Sequence, residues 1–276
     1  MTACRRRVVK LSPAVCYVSL SEKLLKCAAK GRNMEGIVDI HCHILPDVDD
    51  GAASLEETAQ MLRMEYEDGV RSIIVTPHYR RNMFETEMSR IQEAYRMTCE
   101  KAAELAEDLR LYLGCEFHVN MEMEELLKQG ERPTLAGSRY VLAEFSGGSD
   151  YGYLRERVQC LRSCGYKPIL AHIERCECLR KTTDRVEELA EMGALIQVNA
   201  GSILGEEGYS SKLFCRKLMK MDLIHYIGSD THGVRTRTPN LGKCAAFLEK
   251  KMGSDYARKI LCENPKKIMQ EGNTVR

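Results

Sequence analysis

Ile37-Val38-Asp39-Ile40-His41-Cys42-His43 joins a short apolar run to two histidines one residue apart. The run has the length and composition of a buried strand, and residues i and i+2 of a strand project to the same side. His41 and His43 therefore point together from the strand's end, an arrangement from which metal sites are built. Pro46-Asp47-Val48-Asp49-Asp50-Gly51 follows at once and sets carboxylates beside the imidazoles, with Asp49 and Asp50 competing for one ligand position. Mixed nitrogen and oxygen donors suit zinc, manganese or iron. Taken alone, His-x-His also describes two exposed loop histidines; the rest of the chain discriminates.

Beyond this stretch one unit recurs, a short apolar run followed by an amphipathic helical segment. Strands are expected at 37–41, 70–76, 111–116, 140–145, 168–172, 195–199 and 224–229. They are nearly continuous apolar runs, as parallel strands covered on both faces are. Ser54-Leu55-Glu56-Glu57 has the form of a capping box, opening a helix that Gly69 ends. Further helices are expected over 85–107, 121–129, 151–164, 183–192, 211–221 and 241–251, with two shorter ones near Asp255 and Pro265. Seven β-α units with short connections imply an α/β protein of the TIM-like barrel type. A doubly wound open sheet is the competing arrangement.

In such barrels the chemistry sits at the C-terminal ends of the strands, and metal-ligating residue types gather there. The first strand ends in His41 and His43, the second in Thr76-Pro77-His78, the third in Gly114-Cys115-Glu116. The fourth carries Glu144, the fifth ends in His172, and the seventh in Ser229-Asp230-Thr231-His232. The sixth ends in Asn199-Ala200-Gly201, polar but not strongly ligating. Of the seven histidines, five fall at these ends; His118 and His225 lie off the pattern and read as ordinary surface or core residues. Glu144 lies between apolar neighbours, where an unpaired carboxylate is costly and a metal removes the cost. Nine ligands exceed one ion's needs and suffice for two or three, and ions roughly 3.5–4 Å apart suit in-line attack on phosphorus. Arg175, just past His172, and Arg237, in the loop after His232, are placed to grip phosphate oxygens. Arg80 and Arg81, with Tyr79 and Phe84 close by, make the loop after His78 basic and able to receive an acidic or phosphorylated peptide.

Composition narrows the partners. The 276 residues carry 41 basic and 40 acidic side chains, a balance that gives no global pull toward nucleic acid or membrane. No apolar run approaches the roughly 20 residues needed to span a bilayer. The 13 cysteines form neither a secreted-type framework nor a zinc ribbon, so reduced thiols in a cytoplasmic protein are expected. No cysteine is followed six positions later by arginine, so a thiolate phosphatase loop is absent. Residues 1–33 read as a leader foreign to a catalytic domain at 34–276: Arg5-Arg6-Arg7 precedes a mildly apolar segment interrupted by Lys10, Glu22, Lys23 and Lys26. Met34 is a candidate translation start, and the leader is expected to be poorly ordered.

Asp39-Ile40-His41-Cys42-His43-Ile44-Leu45-Pro46 with Asp47-Val48-Asp49-Asp50-Gly51, Thr76-Pro77-His78-Tyr79-Arg80, Ala171-His172-Ile173-Glu174-Arg175 and Ser229-Asp230-Thr231-His232 together resemble the polymerase-and-histidinol-phosphatase (PHP) superfamily. Within it they are similar to the bacterial manganese-dependent protein-tyrosine phosphatases of capsule and exopolysaccharide operons. The resemblance implies a distorted (β/α)7 barrel with three divalent ions, Mn2+ foremost and Zn2+, Fe2+ or Mg2+ as alternatives. One ion would take His41, His43, Glu116 and Asp230, a second Asp50, His78 and His232, and a third Glu116, Glu144 and His172. Arg175 and Arg237 would bind the phosphate. The implied substrate is a phosphotyrosyl protein, the tail of a bacterial tyrosine kinase governing polysaccharide synthesis, and a homo-oligomer stays open. Another PHP phosphoesterase, acting on histidinol phosphate or small phosphomonoesters, is the competing function. A non-enzymatic phosphopeptide binder fits a complete ligand set poorly, and a metal amidohydrolase would want a lysine where this chain has Glu144.

Overall fold

The computed structural model describes Met34 and residues 36–274, and the leader expected over 1–33 lies outside them. Nine strands are present among the described residues: β1 (Ile37–Cys42), β2 (Val70–Val75), β3 (His78–Tyr79), β4 (Arg110–Leu113), β5 (Glu116–His118), β6 (Tyr140–Glu144), β7 (Lys167–Leu170), β8 (Leu195–Asn199) and β9 (Tyr226–Gly228). All pair in parallel, in the orders β1-β2-β4 and β3-β5-β6-β7-β8-β9. The expected third strand is thus split, and Glu116 opens β5 rather than closing the strand before it. The break lies beside Pro77, which has no N–H to give a ladder. The junction is still hydrogen-bonded: Gly114 N–H donates to Val75 O at 2.8 Å and Glu116 N–H to Pro77 O at 3.1 Å.

The last strand returns to the first. Asp230 N–H donates to His41 O at 2.8 Å and His43 N–H to Thr231 O at 2.9 Å. Gly228 permits this approach, since a Cβ there would meet His41 Cβ at 2.6 Å. Strand order follows the sequence without reversal, whereas a doubly wound sheet reverses at a switch point. The result is a curled parallel sheet with helices outside it, and the open-sheet alternative fails.

The helices follow the apolar periodicity. Leu55–Glu67 begins where Glu57 N–H donates to Ser54 Oγ at 3.2 Å. The reciprocal half of the capping box is shifted by one residue, with Ala53 N–H donating to the Glu57 carboxylate at 3.0 Å. Met88–Leu105 starts later than expected, and short helices at Glu177–Arg180 and Ala200–Leu204 carried no periodic signal. Leu62, Leu154, Leu189 and Leu218 of the helices share one buried cluster with Val75, Val141, Leu170 and Val198 of the sheet. A second cluster joins Val38, Ile40, Ile74, Leu142 and Ile169 of the strands to Leu135 and to Ile268 and Met269 of the last helix, Asn264–Thr274. Each such side chain contributes roughly 1.5–3 kcal/mol by leaving water. None of the described helices is long and apolar enough to cross a membrane. The ten described cysteines are unpaired, and six are buried.

Candidate metal centre

Strand ends and the loops that follow them bring all nine expected ligands to one place. Glu116 lies at the middle, its Oε2 3.1 Å from both His41 Nε2 and His43 Nε2 and 3.0 Å from His78 Nδ1. Its Oε1 is 2.8 Å from His172 Nε2, which is 3.8 Å from Glu144. Asp230 Oδ1 lies 3.4 Å from His41 Nε2, and Asp50 Oδ1 lies 3.5 Å from both His78 Nε2 and His232 Nε2. Three sets offer ligand atoms within 4.8 Å of one another: His41, His43, Glu116 and Asp230; His43, Asp50, His78 and His232; and His78, Glu116 and Glu144. The first contains the quartet expected from the resemblance, and the second adds His43 to the expected trio. In the third, His78 takes the place given to His172, which stays beside Glu116.

The competing aspartates separate by environment. The Asp49 side chain is buried: its Oδ2 accepts His43 Nδ1–H at 2.8 Å and His78 N–H at 2.9 Å, and its Oδ1 accepts Gly51 N–H at 3.0 Å. Gly51 must be glycine here, because a Cβ would sit 2.1 Å from His43 O. Asp50, with half its side chain exposed, faces His78 and His232 instead. Asp49 therefore orients and Asp50 confronts the cluster.

Hydrogen bonds also set the imidazole tautomers. An ionised Asp49 only accepts, so His43 carries its proton on Nδ1 and turns a lone pair on Nε2 inward. His232 Nδ1 donates to Asp230 O at 2.9 Å, and His41 Nδ1 faces Gln197 Oε1 at 3.4 Å. All three present Nε2 to the cluster, the pattern of ligating histidines held from behind. Glu116 Oε2 and His232 Nε2 are buried without a hydrogen bond. A carboxylate oxygen facing several nitrogen lone pairs is costly unless protons or a cation lie between. The donor set therefore fits divalent metal.

The electrostatics agree. Burial lowers the His41 pKa, but Glu116 and Asp230 more than reverse this and hold it at about 9. His78 is likewise raised to about 9, burial being outweighed by Glu116. Burial and the neighbouring His43 push His232 down to about 4, so it stays neutral. For Glu116, burial opposes ionisation, but His41 and His78 hold its carboxyl far below the usual range. Asp230 behaves alike, with His41 and Arg175 overcoming burial.

Arg175 and Arg237 both reach Asp230, at 2.8 Å to Oδ2 and 2.7 Å to Oδ1. Arg175 also touches Glu207 at 3.1 Å. With Asp50, His78, Phe84 and Glu144 they line a cleft of about 240 Å³. The Phe84 ring stacks on His78, with centroids 5.0 Å apart. Three residues here adopt left-handed backbone, His172, Asp230 and Arg237, at φ 30°, 53° and 48°. Such conformations cost of order 1–3 kcal/mol each and gather at functional sites. His118 bonds Ser146 Oγ at 2.9 Å and His225 Nδ1 accepts Ile196 N–H at 3.1 Å; neither joins the cluster.

Sequence reasoning passed over a supporting layer. Gln197 Oε1 accepts His172 N–H at 2.6 Å, and Asn199 Nδ2 donates to Asp230 Oδ2 at 2.8 Å. Gln197 and Asn199 stand two apart in an apolar strand, the spacing that singled out His41 and His43. Asp39, also buried within an apolar run, accepts the N–H groups of His41 and Ser229, both at 3.1 Å.

Comparison with known proteins agrees with this geometry. The family described as "Capsular polysaccharide synthesis, CpsB/CapC" matches residues 37–270. Tyrosine-protein phosphatase CpsB of Streptococcus pneumoniae is 36% identical over 240 residues, covering 85% of this chain and 99% of that protein. Tyrosine-protein phosphatase YwqE of Bacillus subtilis is 32% identical over 236 residues, covering 85% and 92%. A crystal structure from work on YwqE and CpsB, described there as unique metal-dependent tyrosine phosphatases, superimposes with a TM-score of 0.80 at 31% identity, covering 85% of this chain and 95% of that one. With a family match over most of its length and relatives of this similarity, the chain belongs to the CpsB/CapC family.

Proposed function

We propose that this chain is a metal-dependent protein-tyrosine phosphatase, a phosphoric monoester hydrolase whose substrate is a phosphotyrosyl tail on a bacterial tyrosine kinase of capsule or exopolysaccharide synthesis. The observation that carries the reading is one buried carboxylate, Glu116, ringed by four imidazoles, with Arg80, Arg175 and Arg237 lining the adjoining cleft. Two or three divalent ions, Mn2+ foremost, would supply charge neutralisation and a water of lowered pKa. His41, His43, Glu116 and Asp230 would hold one, Asp50, His78 and His232 another, and Glu116, Glu144 and His172 a third. Asp49, Gln197 and Asn199 keep those ligands aimed. Arg175 and Arg237 spread their charge between Asp230 and the cleft, where their free N–H groups are available to phosphate oxygens. Phenol, with a pKa of about 10, leaves without a dedicated acid.

A cysteine route has no support. Burial pushes the Cys115 and Cys176 thiols up to about 12, and Cys42 well above its usual value. The frame reads as a distorted (β/α)7 barrel over 34–276, because β2 runs on into β3 and β4 into β5, so nine strands fill seven positions. The ten described thiols, all unpaired, support a cytoplasmic location.

The test is parallel turnover of a phosphotyrosyl peptide, histidinol phosphate and a DNA end by Mn2+-loaded protein. Phosphotyrosine should lead, survive iodoacetamide and vanish with chelator. Arg175→Ala should lower kcat/KM about 10- to 100-fold, the loss of a charged hydrogen bond worth about 1.5–3 kcal/mol. Preference for histidinol phosphate, or inactivation by alkylation, overturns the reading.

A further inference from the structure

Away from the cleft, helices Tyr209–Lys220 and Leu241–Met252 enclose a groove of about 440 Å³. Its apolar lining includes Leu213, Phe247 and Met252. Leu213 is 47% exposed on a helix whose Phe214, Cys215 and Leu218 pack into the core. Four cations line the same groove, Arg216, Lys217, Lys220 and Lys251, and no carboxylate does. None of the four forms an ion pair among the described residues, although the chain as a whole is balanced to a single charge. Arg216 lies over the Phe247 ring at 5.4 Å, and its Nε is buried without a hydrogen-bond partner.

We propose that this groove docks an acidic segment of the phosphotyrosyl substrate protein, one carrying a large apolar side chain flanked by carboxylates. The proposal rests on the phosphatase reading and adds where the substrate is held away from the reacting phosphate. Charge complementarity selects the partner: four unpaired cations around an apolar trench call for carboxylates around an apolar plug. A flat anionic membrane fits less well, because a concave trench withholds its apolar lining from a planar surface. Nucleic acid fits less well too, since the one aromatic ring lining the groove, Phe247, is already covered by Arg216.

The fold also sets a spacing. Glu207, which holds Arg175 at the cleft, stands just before the Tyr209–Lys220 helix. Lys217 is eight residues beyond Tyr209, the helix's first residue, roughly 12 Å at 1.5 Å per helical residue. An extended peptide covers that distance in about four residues. The acidic segment therefore lies at least about four residues from the phosphotyrosine, and the shortest phosphotyrosyl peptides do not reach the groove.

The probe is a random glutamate–tyrosine copolymer, fluorescently labelled, unphosphorylated for binding and tyrosine-phosphorylated for turnover. Lys217→Glu/Lys251→Glu reverses two exposed charges without touching the core; Leu213→Asp, at another exposed position, tests the apolar part. Both variants should weaken copolymer binding tenfold or more by anisotropy. They should raise KM for the phosphorylated copolymer by a similar factor, with kcat and p-nitrophenyl phosphate turnover unchanged. Unaltered copolymer binding overturns the proposal, whatever the enzyme's activity. So does selective loss of binding to phosphatidylglycerol vesicles, which assigns the groove to a membrane, or a change in sedimentation, which assigns it to a second copy. If wild-type protein binds the copolymer but hydrolyses no phosphotyrosine, the phosphatase reading fails and the docking surface stands.

Discussion

Asp49→Asn removes one charge while leaving the shape of the side chain almost unchanged. The carboxylate holds three N–H donors at 2.8–3.0 Å, from His43 Nδ1, His78 N and Gly51 N. Although burial opposes its ionisation, the His43 imidazole keeps its pKa below the usual value. An asparagine can point its oxygen toward His43 and His78 or toward Gly51, but in either orientation its NH2 meets a donor. Hydrogen bonds to a charged group are worth about 1.5–3 kcal/mol each. Losing one outright and weakening two predicts a drop of about 2–4 kcal/mol in the stability of metal-free protein. The freed His43 ring also loses its tautomer lock, and such supporting contacts are worth about 10- to 100-fold in metal affinity. Asp50→Asn is the contrast. Half exposed and accepting no backbone N–H, it should cost metal-free protein less stability than Asp49→Asn does, while still weakening metal binding. Urea unfolding of chelated protein gives the first quantity and calorimetric Mn2+ titration the second. If Asp49→Asn leaves both unchanged, the assignment of Asp49 as the orienting aspartate is wrong.

Metal loading should release protons. His41 and His78 are held at about 9 in the metal-free site, so at pH 7.5 both must deprotonate on ligation, freeing roughly two protons. Calorimetry in buffers of different ionisation enthalpy counts them; the release should shrink above pH 9, and none at pH 7.5 contradicts the protonated state of these two imidazoles. Far from the site, Glu271 bonds Arg139 at 2.8 Å and also pairs with Lys167. Burial alone would raise it, but Lys167 and Arg139 bring it from 4.5 to about 2. A depressed carboxyl stabilises the fold above its unfolded pKa and loses that contribution as pH falls toward its folded one. Glu271→Gln should therefore cost about 0.5–1 kcal/mol at pH 7, solvent screening most of the pair, and little by pH 2; an equal cost at both ends of a urea–pH series refutes the pairing.

Much of the site was legible because strand ends concentrate ligands. His41, His43, His78, Glu116, Glu144, His172, Asp230 and His232 each follow or close an apolar run, and period-2 geometry places them without any knowledge of tertiary contacts. What escaped was set by contacts distant in sequence. Nothing local says that Asp49 reaches back to His78, 29 residues away, or that Asn199 reaches Asp230, 31 residues away. Residue type marked Asp49 and Asp50 alike, and only burial separates them. The split of the strand at 111–116 had the same origin: its apolar run is continuous, but its neighbour is interrupted at Pro77. The short helices at Glu177–Arg180 and Ala200–Leu204 are too brief for periodicity to register.

The central claim is that buried imidazoles and carboxylates gather divalent ions that make phosphotyrosine hydrolysis possible. Metal content per chain, measured on the same purified sample as turnover of a phosphotyrosyl peptide, tests it most directly. Active protein should carry about two to three ions, lose turnover as they are stripped, and regain it as Mn2+ is restored. Full turnover by protein stripped of its metal contradicts the account.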